Sequence, residues 1–497
     1  MNGNLFVRLA WRARSNGWWD RPAFHAAAPD GAVTYTHGEA YEAAARAATV
    51  LAAAGVRPGG RVLIALPDSI EFVAAFLGVL RLGALAVFAG PWQSAPEHAE
   101  MVADAGPSVV VCPPDLGPRF GTATVVTPAA LAAGGVGVAG GAEPAPDPAP
   151  VPADAPAYVQ YTSGTTGPPK GAVHRHADPV AYCQAMAGQA LRMTPDDVVL
   201  SVAKACFPYG LGNTVLFPLY TGAAAVLWPD PPSVTGIVEQ ARRHRPTLLF
   251  TAPAYYARLV ADGEPSTFAS LRAAGSAGEP LPPALADRAE EFLGCPVLDG
   301  LGMTETGHTF ISNTIARRRR GTVGVVLDPY EISVHTPYGK AFVGERGVLH
   351  VRGPSVLLEY YGRPDHTAEV LGPGGWLRTG DVVHVDADGF VHYYGRVDEF
   401  ETIDGVTISP HRVELALGGH PAVAEVAVTV VDGAVRAFVV PQTGFTASAE
   451  LAATLRDFAR SQLDVLLTPH TVSFVDALPR AANGKLRRVL LRQGDRT

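Results

Sequence analysis

Cysteine is scarce in this 497-residue chain, and charge is thin. The four cysteines, Cys112, Cys183, Cys206 and Cys295, lie far apart, with no CxxC pair and no histidine cluster beside any of them. That pattern reads as reduced thiols in a cytoplasmic protein. Only 17% of residues are charged, with 39 Lys plus Arg against 47 Asp plus Glu, a formal charge of −8. A bulk nucleic-acid binder needs a basic field, so no nucleic acid is expected as a partner. Long uncharged apolar runs are missing too. The most apolar stretch, 70–90, contains Glu71 and Arg81, and Arg8, Arg12 and Arg14 interrupt the first residues. Neither a membrane span nor a signal-peptide core is expected. Apolar residues are nevertheless plentiful, at 47%, which excludes disorder, collagen and a disulfide miniprotein.

The length gives a prior of about three domains. Helical spacing over 37–56 and 69–82 alternates with short apolar runs at 61–66, 84–88 and 108–112, the pattern of parallel βαβ units. It resumes with strands at 198–202, 223–227, 247–250 and 296–298 and helices at 234–244 and 253–261. Between these halves, 132–156 is a low-complexity stretch with a formal GxGxxG from Gly135 to Gly140. A proline run follows it, so it reads as a loop and not as a dinucleotide site. After residue 330 short alternating strands (347–351, 382–385, 390–394) predict antiparallel structure, and the last hundred residues return to α/β. A boundary is expected at 395–398. The fold class is therefore α/β: a large domain over 1–394 with a small β-barrel-like part, a hinge at 395–398, and a small mobile α+β lid domain over 399–497.

The most informative segment is YTSGTTGPPKG, residues 161–171. Glycines let the backbone approach a ligand, paired hydroxyls and N–H groups make a nest for phosphate oxygens, and a lysine adds charge. It is not a Walker A loop, because Gly171 and not Ser or Thr follows Lys170. The segment resembles the phosphate loop of the adenylate-forming superfamily: acyl- and aryl-CoA ligases, peptide-synthetase adenylation domains and luciferases. Four more segments match in the family's order: GMTETG (302–307), GWLRTGD (375–381), GRVDEF (395–400) and PRAANGKL (479–486). The resemblance spans essentially the whole chain.

The resemblance implies an ATP-dependent ligase that activates a carboxylic acid as its acyl-adenylate, releases pyrophosphate and passes the acyl group to coenzyme A. Attack of a carboxylate on the α-phosphate brings like charges together, so such a site must neutralise and orient. By resemblance, Thr162, Ser163, Gly164, Thr165, Thr166 and Lys170 hold the β- and γ-phosphates. Thr304 contacts the α-phosphate, and Glu305 ligates Mg²⁺, a hard cation suited to carboxylate and phosphate oxygens. Asp381 takes the ribose hydroxyls, Gly278, Glu279, Asp299 and Gly302 form the adenine shelf, and Arg396 meets phosphate or ribose. Lys485 bridges carboxylate and α-phosphate, and Asp398 is the hinge. Without the resemblance, Asp381 and Asp398 read equally as turn residues and Lys485 as a solvated lysine.

Within the superfamily, AKACFPYGLGNTVLFPL (203–219) and LDGLGMTETGHTFISN (298–313) look most like benzoate-type aryl-CoA ligases. The implied acyl pocket is lined by Cys206, Phe207, Pro208, Tyr209, Gly278, Gly302, His308 and Ile311, and aromatic and small apolar walls suit a flat ring. One departure is visible. Where the family carries a lysine after the hinge, FETIDGVTISP has Thr402, with Asp404 nearby; Gly405 would line the thiol tunnel. A carrier-protein pantetheine is the alternative acceptor, and a non-catalytic nucleotide-binding relative the alternative of another class. ARRRR (316–320) reads as a solvated loop. His174 and His176 lack carboxylate or cysteine companions in sequence, so zinc is not expected. A monomer or homodimer is expected.

Overall fold

The computed structural model describes residues 2–28, 31–133, 145–162, 169–403, 406–463, 467–480 and 486–493. The glycine-rich stretch around Gly135–Gly140 lies outside these residues.

Two large, mostly parallel sheets form the body. One has seven strands, with Glu359–Tyr360, Gly171–Arg175 and Pro156–Tyr161 at one edge, followed by Leu85–Phe88, Arg61–Ile64, Val109–Val111 and Thr124–Val126. The other has nine. Its parallel centre is Val297–Gly302, Ala273–Ser276, Leu248–Thr251, Val198–Ser201 and Ala224–Leu227; four of these match strands expected from sequence to within a few residues at each boundary, and Ala273–Ser276 was not expected. Its far edge was not expected. Pro22–Ala28 pairs parallel with Ala224–Leu227 and antiparallel with Gly31–Thr36, so the N-terminus completes the second sheet. After residue 330 the antiparallel part is a five-stranded sheet that ends in Leu377–Val385 and Val391–Arg396. The small C-terminal part has a three-stranded sheet, Val423–Val431, Ala434–Pro441 and Thr471–Phe474, with its own core of Ile408, Val413, Leu417, Val428, Val439 and Leu455.

Local rules account for much of the body. His37–Ala53 starts with a capping box in which Thr36 and Glu39 satisfy each other's backbone N–H groups, and Ser69 caps Ile70–Arg81. These two helices pack face to face because their contact residues are small. A Cβ added to Gly78 would stand 3.1 Å from the Ala44 carbonyl and from the Ala47 Cβ. Two π-helical turns, Cys183–Ala190 and Leu211–Leu216, were not legible in sequence. Such turns concentrate at functional sites, and both flank the site described below.

The topology aims the strand ends at one place. The carboxyl ends of the parallel strands of the nine-stranded sheet carry the chain to 203–209, 277–280 and 303–305, where open α/β sheets bind ligands. Gly78→Leu should overpack the helix pair by about 1–3 kcal/mol and lower Tm by a few degrees, with nucleotide affinity unchanged because the pair is remote from the strand ends. Differential scanning calorimetry beside a nucleotide titration checks this.

Candidate active site

A cleft of about 790 Å³ opens between the large body and the small C-terminal part. Thr162 and Lys170 line one wall. They close the base of the hairpin between Pro156–Tyr161 and Gly171–Arg175: Thr162 N–H donates to the Lys170 carbonyl at 2.9 Å, and Lys170 N–H to the Thr162 hydroxyl at 3.4 Å. Ser163, Gly164, Thr165 and Thr166 lie outside the described residues.

Thr304 and Glu305 occupy a short 3₁₀ turn directly after Val297–Gly302 and face the same cleft. Three neighbours hold that turn. His174 Nε2 sits 2.8 Å from the Thr304 carbonyl, Leu357 N–H donates to the Glu305 carbonyl at 2.7 Å, and the Tyr360 hydroxyl donates to Glu305 Oε1 at 2.5 Å. His174 is fixed in turn by Asp178, 3.2 Å from Nδ1, both side chains fully buried. The companion carboxylate not seen in sequence is therefore present, four residues on. The dyad is a strut under the turn, and no group of three or more metal-ligating side chains occurs among the described residues. The Lys170 ammonium lies 5.5 Å from the Tyr360 ring centroid, so one tyrosine touches both the phosphate-loop lysine and the Glu305 carboxylate. The sequence reasoning missed Tyr360. Its only signal is the strand pairing of Tyr360 with Ala172, invisible without the fold.

Asp381, Arg396 and Asp398 line the opposite wall, on the last strands of the five-stranded sheet and the turn after them. Arg396 lies 3.5 Å from Asp381 and 3.3 Å from Asp398, and also donates to the Thr379 carbonyl. Asp381 and Asp398 keep its guanidinium charged, outweighing the effect of burial. Gly278, Glu279, Asp299 and Gly302 complete the floor. Gly278 has φ +90°, a conformation that favours glycine. Burial pushes the Asp299 carboxyl well above the usual carboxylate range, against a hydrogen bond from the Gly300 N–H. At Gly302 a Cβ would stand 2.6–2.8 Å from backbone atoms of Thr309 and His308, so the strand pairing itself demands glycine there.

The acyl-pocket residues divide into two groups. Tyr209 and His308 meet with ring centroids 5.2 Å apart, and Phe217 and Tyr182 close around the imidazole at 4.7 and 5.8 Å. Gly212 makes room for it: a Cβ there would stand 2.3 Å from His308 Cδ2. Phe207 and Pro208 are half-buried beside Tyr209. Cys206 is buried behind this wall near Asp68, which accepts from the Ala205 N–H at 2.9 Å, and Ile311 is fully buried in the core. His308 meets the Tyr209 backbone, and the buried Asn213 amide the Tyr209 hydroxyl, each without a hydrogen bond of good geometry. Burial holds His308 neutral, its pKa lowered to about 3.

Lys485, Asp404 and Gly405 lie outside the described residues. Thr402 is on the strand Glu401–Ile403, paired with Thr407 of Val406–Ile408. The arginines of 316–320 are exposed yet largely paired: Arg319 with Asp386 and Asp388, Arg320 with Asp287 and Glu290. All four cysteines are free and buried, and no helix among the described residues is long and apolar enough to cross a membrane.

Residues 9–361 match the AMP-binding enzyme family model, and 412–485 match the AMP-binding enzyme C-terminal domain. The p-hydroxybenzoic acid–AMP ligase FadD22 of Mycobacterium tuberculosis is 42% identical over 99% of this chain and 69% of its own length. The benzoate–CoA ligase of Thauera aromatica is 34% identical over 93% of this chain and 91% of its own. In three dimensions the chain superposes on a benzoate CoA ligase from Burkholderia xenovorans LB400 with a TM-score of 0.89, at 31% identity, covering 98% of this chain and 99% of that one.

Tyr360→Phe removes the hydroxyl that holds Glu305 and should cost about 1–1.5 kcal/mol, roughly a tenfold loss of kcat/KM for ATP, with Tm little changed. Steady-state kinetics at saturating acid read it directly. A second expectation concerns pH. The unfolded chain protonates histidine below about pH 6.5, whereas folded His308 refuses the proton until about pH 3. The unfolded state binds more protons across that window, so stability falls as pH falls through it. His308→Gln should flatten the slope of Tm between pH 6.5 and 4.

Proposed function

The chain belongs to the AMP-binding enzyme family, and from that premise we propose that it activates an aromatic carboxylic acid with ATP and forms the thioester with coenzyme A. The observation that carries this reading is the convergence on one cleft of Lys170, the Thr304–Glu305 turn and Asp381, with the Tyr209–His308 cluster beside the floor residues Asp299 and Gly302. Two negatively charged reactants must meet there, and preorganised cations and donors are what such a reaction needs. Lys170 and the loop before it would take the β- and γ-phosphates, Thr304 the α-phosphate, and Asp381 the ribose hydroxyls. Glu305 suits Mg²⁺, which is usually held by one or two carboxylates together with substrate phosphates. Tyr360 occupies one of its oxygens, and Glu305 lines the cleft. Mg²⁺ supplies charge neutralisation of the polyphosphate. Lys485 would approach the α-phosphate from the small domain as charge builds during adenylation, and residues 395–398 with Asp398 would act as the hinge between 1–394 and 399–497.

The substrate reading is a benzoate with a polar ring substituent. Three relatives are named for benzoate or p-hydroxybenzoate, and the aromatic cluster carries polar side chains, His308 and Asn213, whose contacts with Tyr209 fall short of good hydrogen-bond geometry. A poorly partnered buried polar group is costly, and a hydroxyl on the ring would supply a better partner. FadD22 is named for the adenylate alone, which keeps a carrier-bound pantetheine as the second acceptor to assay.

Pyrophosphate release should be strongest with benzoate and hydroxybenzoates, with aryl-CoA accumulating when CoA is supplied; a clear preference for a medium-chain fatty acid contradicts the reading. Lys485→Ala should cut adenylate formation about 10²–10³-fold, the scale for one transition-state contact, and spare thioester formation from supplied aryl-adenylate. Equal loss in both steps removes Lys485 from its role.

A further inference from the structure

Four charged side chains cross the cleft between the two parts of the chain in alternating sign. Glu279 belongs to the cleft floor of the large domain and Arg258 to its helix Pro253–Asp262. Arg480 and Glu425 belong to the small domain, Glu425 on the strand Val423–Val431. Arg480 pairs with Glu279 through Nη1 and with Glu425 through Nη2 at 2.6 Å, while Arg258 Nη2 reaches the other Glu425 oxygen at 2.5 Å. The Glu425 side chain is 4% exposed. The Gln442 side chain also donates to the Ala257 carbonyl at 3.3 Å, on the same seam.

We propose that this row is a latch that ties the small domain to the adenine side of the cleft, with Arg480 a positioning residue for adenylation. The proposal rests on the reading given above for the cleft. Its physics is that of buried charge: removing Arg480 leaves Glu425 and Glu279 close together at the same seam with less positive charge between them, which disfavours the docked arrangement. The latch must open when the small domain moves for the thiol step. It therefore favours the first half-reaction over the second, and because Glu279 lies on the predicted adenine shelf, docking and nucleotide occupancy share a residue.

The test uses the full chain with Arg480→Ala, Arg480→Lys and Arg480→Ala/Glu425→Gln. Rapid-quench measurement of aryl-adenylate formation should show a loss of about tenfold in Arg480→Ala, the scale of coupling within one buried network. The KM for the acid and the rate of thioester formation from supplied aryl-adenylate should hold or rise. Arg480→Lys should recover part of the first step, and the double variant should be no slower than Arg480→Ala. Equal slowing of both half-reactions, or of neither, overturns the latch. Hydrogen exchange is a readout independent of turnover: Arg480→Ala should exchange faster than the unmodified protein along Pro253–Asp262 and Val423–Val431, and unchanged exchange overturns the latch. If the unmodified protein adenylates no aryl acid, the cleft reading fails, and the exchange comparison still decides the latch.

Discussion

The turn that carries Thr304 and Glu305 is gripped from three sides, and the arrangement of the cleft depends on that grip. His174, backed by Asp178, holds the Thr304 carbonyl; Leu357 holds the Glu305 carbonyl; Tyr360 holds the Glu305 carboxylate. These contacts come from different parts of the chain. His174 is on the second strand of the Pro156–Tyr161/Gly171–Arg175 hairpin, and Tyr360 is on the two-residue strand paired to it. Ser355 adds a fourth contact, donating to the Thr306 carbonyl at 2.7 Å while sharing a hydrogen bond with Tyr330. The strands on either side of the phosphate loop and the turn that would meet the α-phosphate are thus tied together. A catalyst that works by orientation and preorganised charge needs such ties, since a loose site loses the advantage of both.

Around these tied elements the charges are paired. Arg396 rests between Asp381 and Asp398 at the end of the five-stranded sheet, and its donors are shared among several acceptors at 3.3–3.5 Å. The aromatic cluster beside the cleft floor has the opposite character. Tyr209, Phe217 and Tyr182 pack His308 into a neutral, apolar-walled socket, with Gly212 providing the space. One end of the site therefore suits a polyanion and the other a flat ring.

Much of this was legible in sequence because it is local. The βαβ alternation and the motif loops each declare themselves within a dozen residues, and the expected nucleotide-site residues that fall among the described positions line one cleft. What escaped depends on distance or on backbone irregularity. Tyr360 touches Glu305 across 55 residues and Arg480 touches Glu279 across 201, and no periodicity announces either contact. The π-helical turn Leu211–Leu216 sits in a sequence whose apolar spacing reads as ordinary helix. The edge strand Pro22–Ala28 is rich in alanine and lacks the β-branched run that marks a strand, whereas its partner Gly31–Thr36 carries one in Val33–Thr36 too short to stand out alone. His174 and Asp178 were separated in the reading because their partnership needs the chain to leave the strand and begin the next helix at Asp178–Tyr182.

The central claim is that one cleft holds nucleotide and aromatic acid end to end, and a crystal structure with a non-hydrolysable aryl-sulfamoyl adenosine tests it most directly. The account predicts the ribose hydroxyls on Asp381, the sulfamoyl group at Thr304, and the ring against Tyr209 and His308, with a ring hydroxyl within hydrogen-bond distance of His308 or Asn213. A ring bound outside the Tyr209–His308 wall, or a ribose remote from Asp381, would contradict it.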